Sequence, residues 1–296
     1  MSDVIFNPTP ESFSFRYTVY SHGWSELLPF ELDEDKWELS YVFTGGNRGK
    51  PVSAVISEAG RELQVAISET GVDHEKVVRD VKHILRLDDA LEDFYGLVQK
   101  QKGLEWVTKV NAGRLLRSPT VFEDMVKTLC TTNCSWSLTK KMVGNLVEKL
   151  GEPAAGGKHA FPAPEAMANV SSDFYREEIR AGYRSPYFAE LAQAVASGNV
   201  KPETWLRSDL PTVELKKEIK KIKGFGDYAA ENLLKLLGRY DGLALDSWLR
   251  SQFYRKHNAQ KTCPDWKIEK HYKKYAHWQG LAMWCDMTEE WFDGKM

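Results

Sequence analysis

A glycine turn and a carboxylate stand at a set distance in the segment VELKKEIKKIKGFGDYAAENLLKLLGRYDGLALDSWLR, residues 213–250. Leu215, Ile219 and Ile222 recur at helical spacing, Gly224-Phe225-Gly226 makes a tight hairpin, and Asp227 can cap a second helix bearing Ala229, Ala230, Leu233 and Leu237. Glycines let a backbone come close to a phosphate and expose its N–H groups beside a helix N-terminus, where the helix dipole favours an anion. Lys216, Lys217, Lys220, Lys221 and Lys223 crowd the first helix, although Glu214 and Glu218 share it. An ordinary helical hairpin with a solvated lysine face has the same pattern. Twenty residues beyond Gly226, the apolar run LAL delivers Asp246 to the start of a helix. Asp is also a common helix N-cap, so this position alone leaves a structural and a chemical role open.

The elements that must position these groups change character along the chain. From Ser12 to about Ser68, the segments FSFRYTVY, WELSYVF, PVSAVISEAG and ELQVAIS alternate and are separated by breaks such as GGNRG, which predicts an antiparallel sheet. Beyond it, HEKVVRDVKHILRL and DDALEDFYGLVQK space their apolar residues three and four apart, as amphipathic helices do. VFEDMVKTLC places Phe122, Met125, Val126 and Leu129 on one face. After the polar break TTNCS, a second helix carries Trp136, Val143, Val147 and Leu150 until Gly151 and Pro153 stop it. A linker, GEPAAGGKHAFPAPEAM, precedes helices near SSDFYREEI and SPYFAELAQAVASG, with Gly198 as a C-cap.

Composition narrows the class. The 296 residues are 42% hydrophobic and 28% charged, enough for a substantial core and for two domains, which argues against disorder or a small disulfide scaffold. The net charge of −2 argues against coating nucleic acid through bulk positive charge, but it is unevenly spread. Residues 1–70 hold 5 basic against 11 acidic side chains, and residues 201–296 hold 18 against 14. Cys130, Cys134, Cys263 and Cys285 lack the spacing of a zinc site or of the four-cysteine iron–sulfur set, and the seven histidines form no H-x-x-x-H pair. No metal ligation is expected. With neither a signal sequence nor an apolar stretch of about 18 residues, a soluble intracellular monomer that binds no membrane is expected, cytoplasmic or nucleoid-associated in a bacterium and nuclear in a eukaryote.

Hairpin, second helix, short loop and Asp246 together resemble the helix-hairpin-helix DNA glycosylases, which pair this motif with a Gly/Pro-rich loop and an essential aspartate. GRLLRSPTVFEDMVKTLCTTN, AGYRSPYFAELAQAV and YAHWQGLAMWCDM agree in order, so the resemblance spans most of residues 113–292. The 3-methyladenine glycosylase II and 8-oxoguanine glycosylase branches also carry an N-terminal sheet. The resemblance implies an α+β fold: an antiparallel sheet domain with following helices over residues 1–112, then a two-lobed all-α core over 113–296 with the helix-hairpin-helix at 213–237. The loop before Asp246 departs from the pattern, since LAL contains no proline.

The resemblance also implies roles. Asp246 falls where the family places its catalytic carboxylate, which stabilises an oxocarbenium-like sugar and orients the attacking water. Bifunctional members place a lysine nucleophile where this chain has Tyr228, which implies a monofunctional enzyme. Lys223, Gly224, Phe225, Gly226 and Asp227 would clamp the backbone of duplex DNA. Asn133 would fill the gap left by a flipped nucleotide, with a helix N-cap as its other reading and Ser135 as a rival cap. Tyr228, Asn232, Trp284 and Gln279 would line the base pocket, Gly280 standing where the oxoguanine enzymes have their base-reading glutamine. Trp136 and Trp278 are expected in the core. Aromatic walls suit cationic alkylated purines, so a 3-methyladenine type of lesion is expected. An oxidised or deaminated base, or lesion binding without catalysis, is the alternative. No cofactor is expected beyond a structural monovalent cation at the hairpin carbonyls of Ile222 and Gly224.

Overall fold

The computed structural model describes residues 3–47, 49–69 and 71–292. Arg48 of the GGNRG break lies outside them. Five strands, β1 (Asp3–Pro8), β2 (Glu31–Asp33), β3 (Glu38–Asn47), β4 (Lys50–Ala59) and β5 (Glu62–Ile67), form one antiparallel sheet in the order β1-β5-β4-β3-β2. The register sets Leu39 opposite Ile56, Tyr41 opposite Ala54 and Phe43 opposite Val52, and it continues through Ile56 opposite Val65. Because side chains alternate with period two, these buried residues make one apolar face.

Two expectations for this region are corrected. FSFRYTVY contains a helix, α1 (Phe15–Val19), because Ser14 accepts the Tyr17 N–H as an N-cap and Phe15, Thr18 and Val19 then fall on one buried face. The sheet's outer strand comes instead from β1, upstream of Ser12. β1 pairs throughout its length with β5, while Val4 and Phe6 stay exposed.

The remaining helices are α2 (His74–Ile84), α3 (Glu92–Val98), α4 (Glu105–Lys109), α5 (Val121–Thr131), α6 (Trp136–Leu150), α7 (Pro164–Ala168), α8 (Ser172–Glu177), α9 (Ser185–Ala196), α10 (Thr212–Lys220), α11 (Asp227–Leu236), α12 (Ser247–His257), α13 (Asp265–Tyr272) and α14 (Gln279–Thr288). An N-terminal antiparallel sheet followed by helices is the expected α+β class. The chain forms two compact units that interleave: residues 1–88 with 114–205, and residues 89–113 with 206–296. The chain returns to the first unit at Arg114, and α3 and α4 belong with the C-terminal helices.

In the first unit the sheet and α5 share a core. Trp24 Nε1 and the Ser118 N–H both donate to Asp124 Oδ1, at 2.8 and 2.9 Å, and Tyr41 donates to Glu123 at 2.6 Å. Burial, against these hydrogen bonds, pushes Asp124 up to about 6. A carboxyl raised above its unfolded value of 3.8 contributes stability at low pH that is lost as pH rises through about 6. Asp124→Asn keeps both bonds to Oδ1. Urea titrations from pH 4 to 7 should show the wild type losing on the order of 2 kcal/mol more than the variant; parallel pH profiles would remove Asp124 as the cause. In the second unit, Trp278 stacks on Tyr240 at 5.3 Å and packs against Phe94, as expected of a core residue. Trp136, in the first unit, lies over Gly23 and donates to Glu26.

Candidate active site

In the second unit the hairpin is built as two helices and a turn. Leu215 and Ile219 are buried on α10, Phe225 is buried at the turn, and Gly224 takes φ +91°, a conformation that favours glycine. A side chain at Gly226 would meet open space, so this glycine leaves the backbone accessible at the start of α11. Gly226 itself is the N-cap position, and Asp227, expected as the cap, is the first helical residue. Its carboxylate pairs with Lys216 at 2.9 Å and Lys220 at 3.0 Å, which hold it below the ordinary carboxylate range. The lysine face of α10 is largely matched in charge: Lys217 pairs with Glu214, Lys221 with Glu218, and Lys216 also with Glu231. An anion at this hairpin would therefore meet backbone N–H groups more than a field of uncompensated ammonium charge. The Ile222 carbonyl accepts the Phe225 N–H, so the donor set expected to hold a monovalent cation is partly committed to closing the turn.

Asp246 takes the capping role that its position allowed. It is the N-cap of α12, Oδ1 accepting the Leu249 N–H at 2.7 Å, and it remains only half-buried. The cap fixes the direction of the carboxylate and needs just one of its oxygens. On α11, Tyr228, Asn232 and Lys235 are spaced i, i+4 and i+7 and so share one face. Asn232 donates to the Tyr228 carbonyl at 3.0 Å. Lys235, 3% exposed, donates to the Leu243 carbonyl at 3.0 Å, with its Nζ 5.7 Å from the centre of the Trp284 ring. Burial pulls its pKa down to about 8, against the attraction of Glu231 and Asp246. Trp284 adjoins Trp248 at 6.1 Å and Trp291 at 5.6 Å, a partly open group of three tryptophans beginning two residues after Asp246. Gln279, the first residue of α14, donates its amide to the Asp241 carbonyl. Its amide nitrogen is spoken for by the loop rather than by a pocket.

Asn133, in the first unit, lies exposed at φ +47° on the turn between α5 and α6. Ser135 is the N-cap of α6, accepting the Leu138 N–H, so the capping alternative for Asn133 falls away. The Asn133 amide approaches the hydroxyl of Tyr183, a side chain 52% exposed, and the buried Arg184 guanidinium lies 4.5 Å from the Tyr183 ring centre and donates to Thr132.

Among the described residues, one group could bring metal ligands together, His257, His271 and Asp286, whose donor atoms lie within 4.8 Å of one another. Asp286 already accepts from Tyr272 at 2.6 Å and His257 at 2.7 Å and pairs with Lys256 at 2.9 Å. These partners, against burial, hold its carboxyl below the usual range, so the cluster is satisfied as a hydrogen-bonded network. The four cysteines are free thiols.

No family model and no curated protein matches the sequence. The fold, however, matches solved structures along nearly its whole length. A 3-methyladenine DNA glycosylase from Archaeoglobus fulgidus is 17% identical with a TM-score of 0.78, covering 98% of this chain and 99% of that one. The chain has the helix-hairpin-helix DNA glycosylase fold. An 8-oxoguanine glycosylase/lyase from Clostridium acetobutylicum, bound to double-stranded DNA with cytosine opposite 8-oxoguanine, is 17% identical with a TM-score of 0.73, covering 98% and 97%. The 3-methyladenine DNA glycosylase of Schizosaccharomyces pombe, bound to abasic DNA, is 20% identical with a TM-score of 0.53, covering 67% of this chain and 95% of that one.

On this glycosylase fold, sequence reasoning missed Glu231, Lys235 and Trp248. Lys235 had a signal, since a lysine at position i+7 from Tyr228 interrupts the apolar run LLKLL. Trp248 had only its place two residues after Asp246.

Proposed function

We propose that the protein is a monofunctional DNA glycosylase of base excision repair that hydrolyses the N-glycosidic bond of a flipped, alkylated purine in duplex DNA. The observation that carries this reading is Asp246, a carboxylate oriented by its own helix cap two residues from Trp248 and sharing Lys235 as a neighbour with Trp284. The Gly224–Gly226 hairpin would hold a phosphate through backbone N–H groups. Asn133 would enter the space that the flipped nucleotide leaves. As the bond to the base lengthens, positive charge grows on the sugar, and the Asp246 carboxylate offsets it and orients water for attack at C1′. A cationic alkylated base leaves as a neutral molecule and needs little acid assistance. Tryptophan faces at Trp284 and Trp248 suit such a base.

Release of an oxidised or deaminated base is a second reading, favoured by the Lys235 ammonium beside Trp284, because a fixed cation disfavours a cationic neighbour. One panel separates the two: duplexes carrying alkylated, oxidised or deaminated bases, scored for free base and for abasic sites cleaved only by alkali. Release of alkylated purine without strand cleavage is expected. Borohydride should trap no protein–DNA adduct, since Tyr228 has no amine to form a Schiff base and the Lys235 amine is committed to Leu243. An adduct that disappears in Lys235→Met would overturn the monofunctional assignment. Binding to abasic DNA with no base released from any duplex would favour a non-catalytic lesion binder.

A further inference from the structure

The loop that delivers Asp246 has no proline to stiffen it, and it contains a buried alanine in a conformation alanine disfavours, Ala244 at φ +52°. Something outside the loop must hold it. Both polar groups of the Leu243–Ala244 peptide are held by α11. Lys235 Nζ donates to the Leu243 carbonyl at 3.0 Å, and the Ala244 N–H donates to Glu231 Oε2 at 2.6 Å. The two side chains are neighbours because they are four residues apart on one helix. Glu231 is itself anchored, its Oε1 receiving Lys216 of α10 at 2.5 Å. It also passes where Gly242 has no side chain, since a Cβ there would lie 2.6 Å from Glu231 Cγ.

A buried ammonium is costly, and a methionine would fill the same volume without that cost. One carboxylate oxygen of Glu231 and the Lys235 ammonium thus meet on one peptide bond, two residues before the carboxylate proposed to do the chemistry.

We propose that Glu231 and Lys235 are positioning residues that lock the Leu243–Ala244 peptide and thereby aim the Asp246 carboxylate, standing in for the proline this loop lacks. The kinetic part of the test rests on the glycosylase reading, whereas hydrogen exchange at the loop does not. Misplacing a reacting group by about 1 Å costs about 10²-fold in rate. Lys235→Met in the full chain should therefore slow single-turnover base release by about that factor, while the Kd for an abasic-site duplex stays within about threefold and exchange at the 240–246 backbone accelerates. Adding Ala244→Gly should recover at least about tenfold, because glycine adopts the left-handed conformation without strain. A lysine serving general stability would instead lower Tm and weaken DNA binding along with the rate, and Ala244→Gly would not restore it. Base release within about threefold of wild type in Lys235→Met, or unchanged exchange at 240–246, would overturn the proposal. If Lys235→Met does not fold, Glu231→Gln weakens the Ala244 bond and carries the same measurements with a smaller loss. Should wild type release no base at all, the glycosylase reading fails, and exchange at 240–246 alone decides the lock.

Discussion

Asp246→Asn should slow base release by about 10³-fold while leaving the protein folded and able to bind DNA. The asparagine carbonyl can still accept the Leu249 N–H, and Asn caps a helix about as well as Asp, so α12 starts where it did. What disappears, on the proposed mechanism, is the negative charge facing the sugar as it becomes cationic. Removing one oriented electrostatic contact of this kind costs about 10²–10³ in rate, and a full charge in a partly buried site belongs at the upper end. Single-turnover assays on the best substrate of the panel should fall by about 10³-fold, with the Kd for an abasic-site duplex changed little. Asp246→Ala separates the two roles, because it also loses the cap and should cost about 1 kcal/mol of stability that Asp246→Asn retains. Excision by Asp246→Asn at the wild-type rate would remove this carboxylate from the chemistry and return it to the role of a helix cap.

What the residues disclosed and what they hid follow from the range of the interactions. The hairpin was legible because its signals are local: an i, i+4 apolar stripe, a glycine that needs φ +91°, and helix boundaries. Asp246 was legible by its distance from Gly226, and Ser135 could be named as a rival cap because a cap acts within three residues. The helix α1 was hidden because FSFRYTVY alternates like a strand, and the Ser14 cap with the burial of Phe15 and Val19 decided against it. Strand β1 was hidden for the opposite reason, since its partner, β5, lies some sixty residues away. The charge count in the α10 lysines could not reveal that Asp227 and Glu231 would meet them, because those pairs form only when α10 packs on α11. Likewise the hold of Glu231 and Lys235 on Leu243–Ala244 joins a helix to a loop whose path no periodicity describes.

Gly280→Ala should be among the most damaging substitutions in the second unit, and under the proposed function the reason bears on which bases the pocket would accept. The Gly280 N–H donates to the Tyr240 carbonyl at 2.8 Å, and a Cβ built on Gly280 would lie 2.1 Å from the Gly242 carbonyl oxygen and 2.8 Å from that of Tyr240. Both neighbours are backbone atoms, so no side chain can swing away; either α14 or the loop over residues 240–246 must shift. Forcing a methyl into such a contact costs about 3 kcal/mol. The shift would reach Asp246 through the same loop, so the fraction that stays folded should also release base more slowly. Gly280→Gln, which would install a glutamine where the sequence resemblance sets the base-reading glutamine of the oxoguanine enzymes, should fare worse and gain no activity on 8-oxoguanine. Gln279→Ala offers the control, since it removes one exposed hydrogen bond to Asp241 and should cost no more than about 1 kcal/mol. Thermal melts and the lesion panel on these three variants provide the check: a Gly280→Ala protein as stable and as active as wild type would mean that α14 does not hold the loop as closely as described, and that a base-reading side chain at 280 is sterically open after all.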